Sequence, residues 1–199
     1  MAILCEREDL QAATIVETDA RTFDYATFAA LGRWRVAGNL PYNIATPLVT
    51  GLAEMRHGPD VLTVMVQRDV ADRFVATPGT PAYGSLSVAI QYAMHVHREF
   101  TLGPGAFFPR PNVDSAVVQL VRRSEPAVHP RDLALFRKVV RGAFAYRRKT
   151  LANSLSLALK IDRHRIDRAI ADAGIFPEQR GEQLDLADFT RLADALAEG

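Results

Sequence analysis

Five short β-rich runs alternate with amphipathic stretches along the first two thirds of the chain, and beyond Ser124-Glu125-Pro126 the pattern turns to helix alone. Alternation of that kind packs helices on a mostly parallel sheet, which commits the front of the chain to an α/β architecture. Strands are predicted at Thr14–Glu17, Trp34–Gly38, Leu62–Val66, His95–Thr101 and Ala116–Arg122, and helices at Thr46–Arg56, Asp69–Ala76 and Leu86–Ala93. The stretch from Gly103 to Pro111 can be neither regular helix nor central strand, because Pro104, Pro109 and Pro111 remove donors and fix φ. It is expected to be an ordered loop beside the sheet. Past Pro126, Pro130 and Asp132 mark a helix start, and Leu133, Phe136, Val140 and Phe144 follow at helical spacing. Further helices are expected at Thr150–Leu159, at Asp162–Ala173 stopped by Gly174, and at Leu186–Leu196. The chain therefore divides into residues 1–126 and a small helical domain, residues 127–199.

A length of 199 residues at 48% hydrophobic allows one sizeable core and a small second one. Cys5 is the only cysteine, so there is neither a disulfide framework nor a Cys-rich metal site, which fits a reducing cytoplasm. His95, His97, His129 and His164 are scattered without metal-ligand spacing, and no metal is expected. The longest apolar runs, such as Val61–Val66, fall far short of the ~20 residues a membrane span needs. Met1–Leu10 carries Glu6, Glu8 and Asp9 and does not read as a secretion signal.

The net charge of +1 conceals a segregation: −2 over residues 1–128, +8 over 129–168 and −5 over 169–199. A basic segment of that strength suits a polyanion, because Lys and Arg near phosphates release condensed counterions. A solvated helical face is the plain alternative. Arg137, Lys138, Arg141, Arg147, Arg148 and Lys149 are the candidates for phosphate contact. Arg137, Arg141 and Arg148 share one face if that helix continues.

Chemistry concentrates in Asn39-Leu40-Pro41-Tyr42, where a strand runs into a polar, proline-stiffened turn. Ligands of open α/β sheets bind at the carboxyl ends of strands. An exocyclic adenine amine is a poor nucleophile with two N–H donors. An Asn side-chain oxygen and a neighbouring main-chain carbonyl can accept both and hold the nitrogen in line with an electrophilic methyl group. Pro41 stiffens the turn and fixes the direction of the Leu40 carbonyl, and Tyr42 offers a π-face to a base withdrawn from its stack. An ordinary strand-to-helix turn would use Asn and Pro for local reasons alone.

Several motifs, in order along almost the whole chain, resemble those of the small-subunit ribosomal RNA adenine N6,N6-dimethyltransferases. They are Thr18-Asp19-Ala20, the stretch Asn39–Pro47, Val66–Arg73, Tyr83–Val88, Ala106–Ser115 and Phe144–Ser154. The resemblance implies a Rossmann-like S-adenosylmethionine-dependent methyltransferase domain followed by a small all-helical, RNA-binding domain. It implies dimethylation of two adjacent adenosines in the 3′-terminal hairpin of small-subunit rRNA, S-adenosylmethionine as cofactor, and the immature small ribosomal subunit as partner. A cytoplasmic monomer is expected. By the resemblance, Asp19 accepts from the cofactor's adenine amine and the Ala20 amide faces its ring, while Asn39, Leu40, Pro41 and Tyr42 form the catalytic turn. Phe107 is the second stacking surface for the target adenine, chosen over Phe108 by its spacing to Pro109 and Pro111, and one of this adjacent pair is expected in the core.

Enzymes of this class open with a strand, a Gly-rich loop and a helix, followed by an acidic residue on the ribose. This sequence has no glycine before Gly32, and Glu6 stands too close to Asp19 to serve as that residue. An early segment is therefore expected to be missing, through a misassigned start, a gene fragment or an engineered piece. Residues 1–25 are then expected to be poorly anchored, beside a gap between the Glu17 and Gly38 strands, and cofactor affinity is expected to be weak or nil. The competing readings are a non-catalytic rRNA-binding or ribosome-assembly protein, an inactive fragment of the enzyme, and a large-subunit rRNA adenine methyltransferase of the antibiotic-resistance type.

Overall fold

The computed structural model describes residues 13, 14 and 16–198. Four strands, β1 (Arg35–Asn39), β2 (Val61–Gln67), β3 (Met94–Leu102) and β4 (Ser115–Arg122), form one sheet in the order β1-β2-β4-β3. Only β1 and β2 run parallel, from Arg35 beside Val61 to Asn39 beside Met65. β4 inserts antiparallel between β2 and β3, so the described sheet is mixed where the alternation of elements pointed to a mostly parallel one. The cause is the Pro-rich loop, which turns the chain straight from β3 into β4 without the crossover helix a parallel neighbour requires. Of the strand expected at Thr14–Glu17, Ile15 lies outside the described residues, and Thr14, Val16 and Glu17 are irregular. Glu6, Cys5 and the rest of residues 1–12 also lie outside them.

Helices α1 (Tyr42–Glu54), α2 (Arg68–Val75) and α3 (Ser85–Ala93) cover one face of this sheet. The period of two along the strands explains why: Leu62, Val64 and Val66 on β2 lie opposite Leu120, Val118 and Ala116 on β4, and all six are buried. Val49, Leu52, Phe74, Leu86 and Ile90 from the three helices close that core. Helix α1 begins four residues before the predicted start, with Pro41 at its N-cap and Pro47 in its second turn. An exposed Pro47 leaves the Asn43 carbonyl to water, which makes the interior proline tolerable.

After β4 the chain is helical, as α4 (Leu133–Ala145), α5 (Leu151–Leu159), α6 (Arg163–Asp172) and α7 (Leu186–Glu198). Asp132 caps α4 by accepting from the amides of Ala134 and Leu135, and Gly174, at φ +68°, ends α6. Phe136, Val140, Leu151, Leu155, Ile166, Ile170, Phe189 and Leu192 build a second core. Helix α4 stops at Ala145, where Lys149 N–H turns back to the Tyr146 carbonyl, so Arg148 is not on the Arg137–Arg141 helix. Helix α3 belongs to both cores: Leu86 and Ile90 face the sheet, whereas Val88 packs among the later helices. Gln91 and Ser87 on the same helix bond the carbonyls of Phe74, Ala76 and Arg73, satisfying the end of α2.

Candidate functional site

The carboxyl end of β1 opens on a cleft of about 310 Å³. One wall is Asn39, Leu40, Pro41 and Tyr42; the other is Phe107 and Phe108 with Pro109 and Pro111 from the loop between β3 and β4. The structure thus brings together the five residues singled out as catalytic, although 67 residues of chain lie between Asn39 and Phe107. No carboxylate lines this cleft.

Backbone pairing holds the first wall. The Leu40 amide donates to the Met65 carbonyl at 3.2 Å, which extends the β1–β2 ladder one residue into the turn, and the Pro41 carbonyl accepts from Ile44 and Ala45 to start α1. Between these anchors, the Leu40 carbonyl and the exposed Asn39 side chain accept no hydrogen bond among the described residues. Two unfilled acceptors on adjacent residues are what a primary amine attached to a ring needs.

The two walls are tied by one hydrogen bond that the sequence reading did not single out. Tyr42 Oη lies 3.0 Å from Ser115 Oγ, and Ser115 is a buried polar residue at the start of β4. Its burial leaves its hydroxyl with the tyrosine as its side-chain partner, so the Tyr42 ring is held by its far end with its face free. The signal was present as the serine closing the Ala106–Ser115 motif, yet nothing in the sequence shows which ring it meets. Asp114 anchors the same loop on Arg68, through its carbonyl to the Arg68 amide at 3.0 Å and its carboxylate to Nη1 at 3.1 Å.

Phe107 is half-buried at the cleft, but neither it nor Phe108 enters a core. The expectation that one of the pair is core is corrected: Phe108 is 102% exposed. The loop is why, since prolines on both sides keep it from folding back onto the sheet.

Asp19 and Ala20 are not brought into this cleft. Ala20 lines a separate cavity of about 330 Å³ between the segment from Ala20 to Ala26 and helix α1. Asp19 accepts from the Arg21 amide at 2.9 Å and from the Arg21 guanidinium at 2.6 to 3.1 Å. That side-chain hydrogen bonding, then the backbone one, pulls its carboxyl from the usual 3.8 down to about 2. The segment is held against the sheet through aromatic rings, Phe23 on Tyr25 at 5.0 Å and Phe28 on Trp34 at 5.3 Å between centroids.

The basic candidates separate into two groups. Arg137 pairs with Glu54 at 3.6 Å across the two parts of the molecule, and Arg147 donates to the Pro81 carbonyl at 2.8 Å. Lys138, Arg141, Arg148 and Lys149 are exposed. Among the described residues no group of three or more His, Cys, Asp or Glu is placed to hold a metal, and no helix is long and apolar enough to cross a membrane.

A family model described as ribosomal RNA adenine dimethylase matches residues 6–198. The chain is 46% identical over 183 residues to ribosomal RNA small subunit methyltransferase A of Pseudomonas aeruginosa, covering 90% of this chain and 65% of that protein. It is 42% identical over 185 residues to the protein of the same name from Geobacillus thermodenitrificans, covering 92% and 63%. The chain thus spans less than two thirds of the length of these curated relatives. Among solved structures, a dimethyladenosine transferase from Plasmodium falciparum superposes with a TM-score of 0.70 at 22% identity, over 89% of this chain and 70% of that one. The 23S rRNA methyltransferase ErmE superposes at 0.65 and 23% identity, over 96% and 76%. These two likenesses concern the fold, which is the expected α/β, Rossmann-like methyltransferase architecture.

Proposed function

The chain belongs to the ribosomal RNA adenine dimethylase family, and from that premise we propose that it binds and orients a target adenosine of small-subunit rRNA for N6-methylation. The observation that carries this reading is the pair of unfilled acceptors, Asn39 side chain and Leu40 carbonyl, at the mouth of a cleft walled by Tyr42 and Phe107.

In this reading the adenine leaves its stack and enters between the Tyr42 and Phe107 rings, stacking being worth ~1–3 kcal/mol per base. Asn39 Oδ1 and the Leu40 carbonyl each accept one N6 hydrogen, which fixes the orientation of the amine. Pro41 keeps the carbonyl aimed, and Ser115 keeps the Tyr42 ring aimed. No general base is required beforehand, because the nitrogen acquires an acidic proton only as its new bond forms. The cleft also lacks a carboxylate to serve as one.

S-adenosylmethionine, which the family implies, would supply the methyl group. Asp19 would accept from its adenine amine and Ala20, at the edge of the cavity of about 330 Å³, would face its ring, once the solvent-exposed Arg21 that now pairs with Asp19 gives way. The reading divides the chain at residues 126 and 127, supported by the two hydrophobic cores, and assigns phosphate contact to the helical part. Lys138, Arg141, Arg148 and Lys149 are the freest cations for it, with Arg137 and Arg147 partly engaged within the protein. A cytoplasmic monomer acting on the immature small subunit completes the proposal.

The test is transfer of a labelled methyl group to immature small subunits, run beside a binding assay on hairpin RNA carrying 2-aminopurine at the target position. Transfer that depends on Asn39, with fluorescence that responds to loss of Tyr42, is the expected result. Hairpin binding without transfer favours the non-catalytic rRNA-binding reading, for which the occupied Asp19 is the specific observation. Fluorescence indifferent to both Tyr42 and Phe107 overturns the base cleft.

A further inference from the structure

We propose that Phe108 is a second stacking platform, taking the nucleobase next to the target adenine in the single-stranded RNA; this rests on the base-cleft reading above. Phe108 has an exposure of 102%, so its ring touches essentially nothing in the protein, although it stands on the rim of the same cleft as Tyr42 and Phe107. A large apolar ring fully in water is costly in hydration, and a flexible loop would tuck it away. This loop is not free to do so. Pro104, Pro109 and Pro111 fix its φ angles, and its far foot is held by Arg68 on Asp114 and by Ser115 on Tyr42.

The local backbone sets the direction of the ring. Phe107 is extended, with φ −127° and ψ 149°, and successive side chains of an extended segment point to opposite sides. Phe107 is accordingly half-buried in the cleft wall, while Phe108 stands out over the rim. Withdrawing an adenine from its stack bares one face of the neighbouring base. An aromatic ring at the mouth of the pocket is placed to cover that face, and stacking of this kind accepts any base. Charge agrees with a nucleotide as the occupant. Arg110, two residues on, is exposed and makes no ion pair among the described residues, and no carboxylate lines the cleft.

The experiment measures binding of a fluorescein-labelled hairpin RNA, with two adjacent adenosines in its loop, by fluorescence anisotropy. Because Phe108 packs against nothing, Phe108→Ala leaves folding untouched. It is expected to weaken binding about tenfold, Phe108→Tyr to stay within about threefold of the unaltered chain, and Phe108→Leu to be no better than alanine. The alanine penalty is expected to vanish on one of two further RNAs, abasic on the 5′ or the 3′ side of the target. Four outcomes overturn the proposal. Phe108→Ala can bind as tightly as the unaltered chain while Tyr42→Ala is weakened, which removes the platform and keeps the cleft. Leucine can restore affinity, which makes the contact merely apolar. The penalty can persist on both abasic RNAs, which assigns the ring to something other than a flanking base. Tyr42→Ala and Phe108→Ala can both be silent, which overturns the cleft and this inference with it.

Discussion

The turn after β1 and the segment around Asp19 each present polar atoms that could serve a small ligand, and they do so in opposite ways. At the turn, the acceptors are fastened from behind: Leu40 is pinned to Met65, Pro41 starts a helix, and the Asn39 side chain and Leu40 carbonyl are left over. At Asp19, the acceptor is satisfied from in front, with the Arg21 fork closing both carboxylate oxygens two residues away. Acceptors are kept available when the backbone around them is paired on a rigid element; where it is not, the nearest cation takes them. An exposed local pair of this kind adds little stability, so what separates the two regions is readiness and not strength.

The contrast is broken most directly by removing an acceptor from the ready side. Asn39→Ala is expected to lower methyl transfer about a hundredfold, since misplacing a reacting group costs that much. It should also erase any preference for adenosine over purine riboside at the target position, read by competition binding. If that preference survives, the free acceptors are not what selects the base. Tyr42→Ala comes next, with a loss of ~1–3 kcal/mol in RNA binding that 2-aminopurine fluorescence will report. Ser115→Ala sharpens the point about fastening. It should cost ~1 kcal/mol, match Tyr42→Phe, and add nothing to it in the double variant; additive losses would show that the two hydroxyls act separately.

The smallest effect belongs to the closed side. With Arg21→Ala, the Asp19 carboxyl should rise from about 2 toward the ordinary 3.8, followed by carbon-detected NMR titration. The sign follows from the depressed value: whatever stability the pair contributes is present above about pH 4 and is lost as the pH falls from 3.8 toward 2. The same variant frees the acceptor, and calorimetry with S-adenosylmethionine should then show binding at least as tight as that of the unaltered chain. Weaker binding would mean that Arg21 itself holds the donor.

The sheet was legible because its two buried strands alternate: Leu62, Val64 and Val66 announce a face without ambiguity, as do Ala116, Val118 and Leu120. The direction of β4 was not, because periodicity carries no sense of orientation and only the length of the β3–β4 connection decides it. The predicted start of α1, Thr46, falls four residues late, and the helix runs through Pro47 because an exposed proline in a second turn costs one bond that water replaces. Among site residues, the cleft members were readable from motif chemistry. The Arg21 fork, the Ser115 bond and the outward turn of Phe108 depend on rotamers and on chain neighbours that composition and spacing do not encode.

Helix α3 has a consequence for how the molecule comes apart. Leu86 and Ile90 complete the core under the sheet and Val88 the core among the later helices, so melting either core strips α3 of one of its two buried faces. A helix of nine residues has little stability of its own in water. Loss of one core is therefore expected to undermine the other, so that calorimetry should record the sheet and the helices behind it melting in one transition in place of two.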